Sequence, residues 1–212
     1  MIPPYSEQSR LTETARPRIG VLAIQGDYAA HADALTESGA FPSLVKNVED
    51  LRPDGLSLDG LILPGGESTT MLKFLERRGF FESLKEYSAT RPVFGTCAGA
   101  ILLAREVRHP AQPSLGALDA VVERNAYGRQ IDSTILSVPS SLPGGPLEMV
   151  FIRAPRIVET GHDVEILARR EGFPVLVRQG KLMAATFHPE LSADRRVHKL
   201  FVDTVIESLR QP

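Results

Sequence analysis

The sequence predicts a single-domain α/β fold with a mostly parallel central sheet and an antiparallel extension, and three observations lead there. In the first half, short apolar runs alternate with stretches of helical periodicity, the order that builds right-handed βαβ units. After about residue 114 the apolar runs become closely spaced, and Arg178-Gln179-Gly180-Lys181 reads as a hairpin turn. The length is 212 residues, 42% of them hydrophobic, which suffices for one packed core and is short for two.

Residues 1–17 hold Pro3, Pro4 and Pro17 among polar residues, without the apolar core of a signal peptide, so a flexible extension is expected before a domain spanning 18–212. Ile19-Gly20-Val21-Leu22-Ala23-Ile24 is apolar on both faces, as a central parallel strand requires, and it ends at Gln25-Gly26-Asp27. Tyr28 to Ser38 has helical spacing and stops at Gly39. Ser43 to Lys46 is a weak strand; Gly60-Leu61-Ile62-Leu63 is a clear one, closed by Pro64-Gly65-Gly66. A helix begins at Ser68 with Met71, Leu72 and Leu75, and Phe81 to Tyr87 continues in helical character. Pro92-Val93-Phe94 leads as a strand to Cys97, and Ala98 to Ala104 reads as the first turns of a helix. Further strands are expected at Leu115 to Val122, Gln130 to Val138, Met149 to Ile152, Val164 to Ala168, Val175 to Arg178 and Leu182 to Phe187. Ser140 to Pro146, rich in Gly and Pro, is an exposed loop. Asp194 to Leu209 closes the chain as an amphipathic helix with Val197, Leu200, Phe201, Val205 and Leu209 on one face.

Composition excludes several functions. A formal net charge of -2 gives no basic field for nucleic acid and no polybasic membrane patch. No apolar stretch approaches the roughly 20 residues of a membrane span. The single cysteine excludes an internal disulfide and a zinc site built from several thiolates, and it fits a reducing cytoplasm. No metal or other cofactor is expected.

The cysteine stands in Phe94-Gly95-Thr96-Cys97-Ala98-Gly99-Ala100, a G-x-nucleophile-x-G elbow between a strand and a helix. Such a turn lifts the sulfur above the sheet edge, and the helix N-terminus favours thiolate over thiol. A buried structural cysteine is the plainer alternative. The second informative segment is His188-Pro189-Glu190, which closes an apolar strand. Residues two apart in an extended chain project to one side, so Glu190 can hold one nitrogen of His188 while the other faces outward. His31, His109, His162 and His198 lack such a setting; His198 falls on a polar helix face, and His109 and His162 fall in loops. Third, Leu63-Pro64-Gly65-Gly66-Glu67-Ser68-Thr69-Thr70 follows a strand with two glycines that let backbone N–H groups approach a ligand. With the Ala98 N–H they could form an oxyanion hole. A phosphate cradle lacks the Walker A spacing and its lysine, and the plainest reading is a tight turn with Ser68 as N-cap.

Gly95-Thr96-Cys97-Ala98-Gly99 with His188-Pro189-Glu190 resembles the triad glutamine amidotransferases, the class I glutaminase family. Three stretches are similar to the glutaminase subunits of pyridoxal 5′-phosphate synthases: Leu63 to Met71, Val122-Glu123-Arg124-Asn125 with Gly128-Arg129-Gln130, and Phe151-Ile152-Arg153-Ala154-Pro155. Gly20 to Asp27 matches as well, so the resemblance runs from about residue 18 to residue 202. It implies a three-layer α/β/α architecture and the hydrolysis of L-glutamine to L-glutamate and ammonia. In that reaction Cys97 is the nucleophile, His188 the base, Glu190 its orienting carboxylate, and the Gly66 and Ala98 amides the oxyanion hole. The resemblance further implies glutamine binding by Gly66, Glu67, Ser68, Arg124, Ile152 and Arg153. Its partner is a (β/α)₈-barrel synthase subunit that consumes the ammonia for vitamin B6 biosynthesis, and Gln25, Gly26 and Gly65 are candidates for a switch that rearranges on docking.

The rival readings are a glutaminase serving another amidotransferase, a γ-glutamyl peptidase on the same scaffold, and a non-catalytic glutamine-sensing subunit. Two departures from the family pattern stand out: the N-terminal extension, and Tyr28-Ala29-Ala30 before His31, where an acidic residue is expected next to that histidine.

Overall fold

The computed structural model describes residues 16–52, 54–77, 79–124 and 133–210. The expected extension lies outside the described residues except for Arg16 and Pro17. Both are docked: Arg16 donates to the Thr36 carbonyl at 3.0 Å, and the Pro17 carbonyl accepts from the Phe41 N–H at 2.8 Å.

Among the described residues the main sheet has seven strands. In chain order they are β1 (Arg18–Leu22), β2 (Phe41–Val45), β3 (Gly60–Leu63), β4 (Val93–Thr96), β10 (Glu165–Arg170), β11 (Phe173–Gln179) and β12 (Leu182–Ala185). Their spatial order is β10-β11-β12-β4-β3-β1-β2, parallel from β12 to β2 and antiparallel through β11 and β10. Gly180 and Lys181 form the turn between β11 and β12, where the sequence placed a hairpin. Period-two alternation assigns each strand residue a layer. Leu61, Leu63, Leu182 and Ala184 face one apolar cluster; Ile62, Met183 and Ala185 face the other.

Helices α1 (Tyr28–Glu37) and α5 (Arg196–Arg210) cover the second cluster through Leu35, Val197, Phe201 and Val205. Helices α2 (Ser68–Arg77), α3 (Phe80–Thr90) and α4 (Ala98–Leu103) cover the first through Met71, Leu75, Phe80, Leu84 and Leu102. The result is the expected three-layer α/β/α architecture. Phe201 stacks on Phe94 with ring centroids 5.6 Å apart, and both are fully buried. Each such burial contributes about 1.5–3 kcal/mol.

Among the described residues there are two further small sheets. β7 (Thr134–Val138) pairs with β8 (Leu147–Phe151), and β6 (Leu118–Glu123) lies between β5 (Ala104–Arg108) and β9 (Arg156–Thr160). The sequence pointed to neither β5 nor β9. Ala104, expected as the end of a helix, instead starts β5. On helix α5 the sequence placed His198 on a polar face and Leu209 on the apolar one; the structure reverses both. His198 is fully buried against α1 and Leu209 is 52% exposed, because α1 packs on α5 near its start and, among the described residues, no element covers its end. Among the described residues, no helix is long and apolar enough to cross a membrane.

Candidate active site

The cysteine elbow is built from backbone proximity. β4 delivers the chain to Cys97, whose N–H donates to the Ala185 carbonyl at 2.8 Å and whose carbonyl accepts from the Ile101 N–H at 3.2 Å. Holding both bonds puts Cys97 at φ 48°, ψ −104°, a conformation that costs a non-glycine residue energy. The bracketing glycines have a steric reason. A Cβ on Gly95 would lie 2.5 Å from the Gly99 carbonyl, and one on Gly99 would lie 1.9 Å from the Leu63 carbonyl oxygen. Ala98 is the first residue of α4, so its N–H belongs to the group without a partner inside the helix.

His188 enters from the neighbouring strand, three residues beyond β12, with its N–H on the Val150 carbonyl at 2.8 Å. The chain is not extended through Glu190, as the sequence reading supposed. Pro189 starts a 3₁₀ turn, Pro189–Leu191, for which its fixed φ is suited. The turn still returns the carboxylate to the imidazole: His188 Nδ1 and Glu190 Oε1 are 2.8 Å apart. Burial works against a charge on His188, but its hydrogen bonds to Cys97 and Glu190 together outweigh that cost and raise its pKa to about 10.

A cavity of about 520 Å³ opens over this pair. Its lining includes Gln25, Gly26, Gly65, Gly66, Glu67, Ser68, Cys97, Arg124, Ile152, Arg153 and His188. Ala98 and Glu190 are buried next to Cys97 and His188 and do not themselves line it. Asp27, Ile101, Pro155 and Leu191 also line it, and the sequence reading singled out none of them. Asn125, Gly128, Arg129 and Gln130 lie outside the described residues.

The N-cap of α2 is Glu67 and not Ser68. The Glu67 carboxylate accepts from the Thr69 N–H (3.0 Å), the Thr70 N–H (2.7 Å) and the Thr70 hydroxyl (2.6 Å), while its carbonyl accepts from the Met71 N–H. A carboxylate reaches two of the orphan N–H groups at once, and those bonds, the Thr70 hydroxyl foremost, hold its pKa near 2. Ser68 instead donates to Gln112 Oε1 at 3.3 Å. Arg124, mostly buried, donates to the Thr69 hydroxyl at 2.9 Å and lies 3.8 Å from Glu67. It is thus a cation fixed at the cavity wall. Arg153, at φ 44°, also lines the cavity.

Segments 25–26 and 65–66 touch. A Cβ on Gly26 would lie 1.9 Å from the Gly65 carbonyl oxygen, and the Gln25 side chain packs on Gly66, which has φ 145°.

Sequence reasoning missed His31, Thr96 and His198, which lie behind Glu190. All three are fully buried. One signal was available: on α1 the buried residues are His31, Ala34 and Leu35, an i, i+3, i+4 stripe that marks an inward face.

The fold is that of a glutamine amidotransferase. A solved structure described as glutamine amidotransferase superposes with a TM-score of 0.79 at 44% identity, over 88% of this chain and 98% of that one. The chain belongs to the SNO glutamine amidotransferase family, whose model matches residues 21–207. Among its relatives, the pyridoxal 5′-phosphate synthase subunit PdxT of Koribacter versatilis (strain Ellin345) is 58% identical over 188 residues, 89% of this chain and 95% of the relative. The subunit of the same name from Thermotoga maritima is 49% identical over 191 residues, covering 89% and 99%.

Proposed function

We propose that this chain is the glutaminase subunit of a pyridoxal 5′-phosphate synthase, with Cys97, His188 and Glu190 as its catalytic triad. The observation that carries the reading is the 2.8 Å His188–Glu190 bond beside Cys97, at the floor of a cavity with a fixed arginine in its wall. Glu190 fixes the imidazole so that its free nitrogen serves Cys97. The Cys97 sulfur attacks the side-chain amide carbon of glutamine, and His188 holds the thiol proton. His188 then passes that proton to the amide nitrogen, the C–N bond breaks, and ammonia leaves a thioester. Water attacks the thioester with His188 as base; the C–S bond breaks, the proton returns to sulfur, and glutamate is released. The Gly66 and Ala98 amides hold the oxyanion at each tetrahedral stage.

Arg124 binds the α-carboxylate of glutamine, with Glu67, Ser68, Ile152 and Arg153 completing the site. Ammonia passes to a (β/α)₈-barrel synthase subunit, a sealed route that keeps it from becoming ammonium. The contacts of Gln25 and Gly26 with Gly65 and Gly66 support a switch in which the two segments rearrange together on docking. The single free thiol fits action in the cytoplasm.

The test is glutamate release from L-glutamine by wild type and Cys97→Ala, with and without the synthase subunit. Cys97-dependent release that rises with the synthase is expected. Release indifferent to the synthase would overturn the partner and the switch, and release from Cys97→Ala equal to wild type would overturn the mechanism.

A further inference from the structure

The Glu190 carboxylate is divided between two histidines. Its Oε1 meets His188, while its Oε2 lies 3.3 Å from His31 Nε2 with both side chains fully buried. Among the described residues Oε2 has no aligned hydrogen-bond donor, since the His31 Nε2 is better directed to the Thr96 hydroxyl at 3.1 Å. A buried anionic oxygen without a donor is costly, and a small rotation of the His31 ring would supply one.

His31 is itself held in register. Its Nδ1 lies 3.0 Å from His198 Nε2 across the α1–α5 contact. Because Nε2 of His31 faces a carboxylate oxygen, it carries the proton; Nδ1 of the neutral ring is then an acceptor, and His198 Nε2 must donate to it. The remaining atom, His198 Nδ1, is buried with no partner among the described residues, which suits a bare lone pair better than an orphan N–H. One proton arrangement is consistent with the contacts along the row and leaves Glu190 Oε2 as the acceptor that His31 can serve. Burial keeps both rings neutral, the more so as each lies near other histidines or Arg195.

We infer that His31 is a positioning residue for the reaction: its Nε2–H steadies the second oxygen of Glu190, and His198 fixes the tautomer that makes this possible. This rests on the glutaminase reading above. The row runs Cys97, His188, Glu190, His31, His198, from the cavity floor to helix α5. It also joins the cavity rim to the triad, since α1 begins directly after the lining residues Gln25 to Asp27.

Glutaminase kinetics of the full chain with its synthase subunit test this, using His31→Leu, His31→Gln and, as control, Cys97→Ala. A glutamine side chain can place an amide N–H near the former Nε2; leucine offers none. Hydrogen bonds to charged groups are in the range that makes about a 10- to 100-fold loss in kcat the expectation for His31→Leu, with KM for glutamine within about twofold of wild type. His31→Gln should recover at least about fivefold of that loss. Equal kcat in the two variants, or a loss residing in KM, would overturn the proposal. Nitrogen-15 NMR of the wild-type imidazoles gives a second readout that needs no variant to fold. His31 protonated on Nε2 is expected; protonation on Nδ1 would overturn the proposal. Full activity in Cys97→Ala would instead sink the underlying glutaminase reading.

Discussion

Gly65 packs edge-on to His188: a Cβ at position 65 would lie 2.5 Å from His188 Cε1, 3.1 Å from Nδ1 and 3.3 Å from the Cys97 Cβ. The ring is not free to swing aside, because its Nδ1 is tied to Glu190 Oε1 at 2.8 Å. Gly65→Ala must therefore displace the imidazole or the elbow. A misplacement near 1 Å at a reacting group costs on the order of 100-fold in rate, so kcat for glutamine hydrolysis should fall at least that far. The stability loss should stay within about 1–3 kcal/mol, as for other overpacked sites. Steady-state kinetics beside a melting curve would check this; retention of a tenth of the wild-type kcat would refute it.

Cys97 carries backbone strain at φ 48°, ψ −104°. Conformations of this kind cost about 1–3 kcal/mol for a non-glycine residue. Both Cys97→Ala and Cys97→Gly remove the thiol and should end glutamine hydrolysis. Their stabilities should differ in an unusual direction. In an ordinary helix glycine is worse than alanine by about 0.5–1 kcal/mol, whereas here the glycine variant should be at least as stable. Calorimetry on the two variants decides it, and a glycine variant less stable by about 1 kcal/mol would show that the elbow is not strained.

What the sequence disclosed and what it withheld divide along contact range. The elbow around Cys97 and the nearness of Glu190 to His188 are local, set by glycines and a proline within a few residues, so spacing exposed both, although it suggested extended chain where Pro189 starts a turn. The clear strand at Gly60–Leu63 and the first residue of α2 were legible for the same reason. His198 was misread because its burial depends on His31, 167 positions away, crossing α5. A lone polar residue at a helix start looks solvated until that partner is known. β5 was hidden by its charges, since Arg105, Glu106 and Arg108 break the apolar run and only Ala104 and Val107 are buried. The cap of α2 was misassigned by one residue because serine and glutamate can both cap, and only geometry shows which oxygen meets the Thr70 N–H.

Glu67 does two things at once: it caps α2 and stands 3.8 Å from Arg124. Glu67→Ala should lower stability by about 1 kcal/mol, the usual effect of losing an N-cap. It should also raise KM for glutamine, because Arg124 loses one of the groups that orient it, while kcat changes little. Arg124→Ala should raise KM more, by about 10-fold or beyond, the worth of a charge-assisted bond to a carboxylate. With its pKa near 2, Glu67 stays ionised in mild acid, so the cap should persist there. Equal KM in wild type and both variants would place the substrate carboxylate elsewhere.

Three buried histidines should give the protein a stability maximum near pH 6.5. His31 and His198 are held neutral, His31 well below 6.5 through burial and then the neighbouring His198 and His188, and His198 at about 3 through burial and then Arg195, with Glu37 opposing. The unfolded chain protonates both near 6.5. Stability from these two groups is fully present above that pH. It falls on acidification by about 1.4 kcal/mol per pH unit for each histidine, as the unfolded state binds protons the native state refuses. His188 acts oppositely. Its pKa is raised to about 10, so its contribution is complete below 6.5 and is lost as pH rises toward 10. Urea unfolding at pH 5, 6.5 and 9 should show the highest midpoint at 6.5. Replacing His198 by Leu should halve the slope of the acid side, and an acid side unchanged by that substitution would mean that His198 titrates as freely in the folded chain as in the unfolded one.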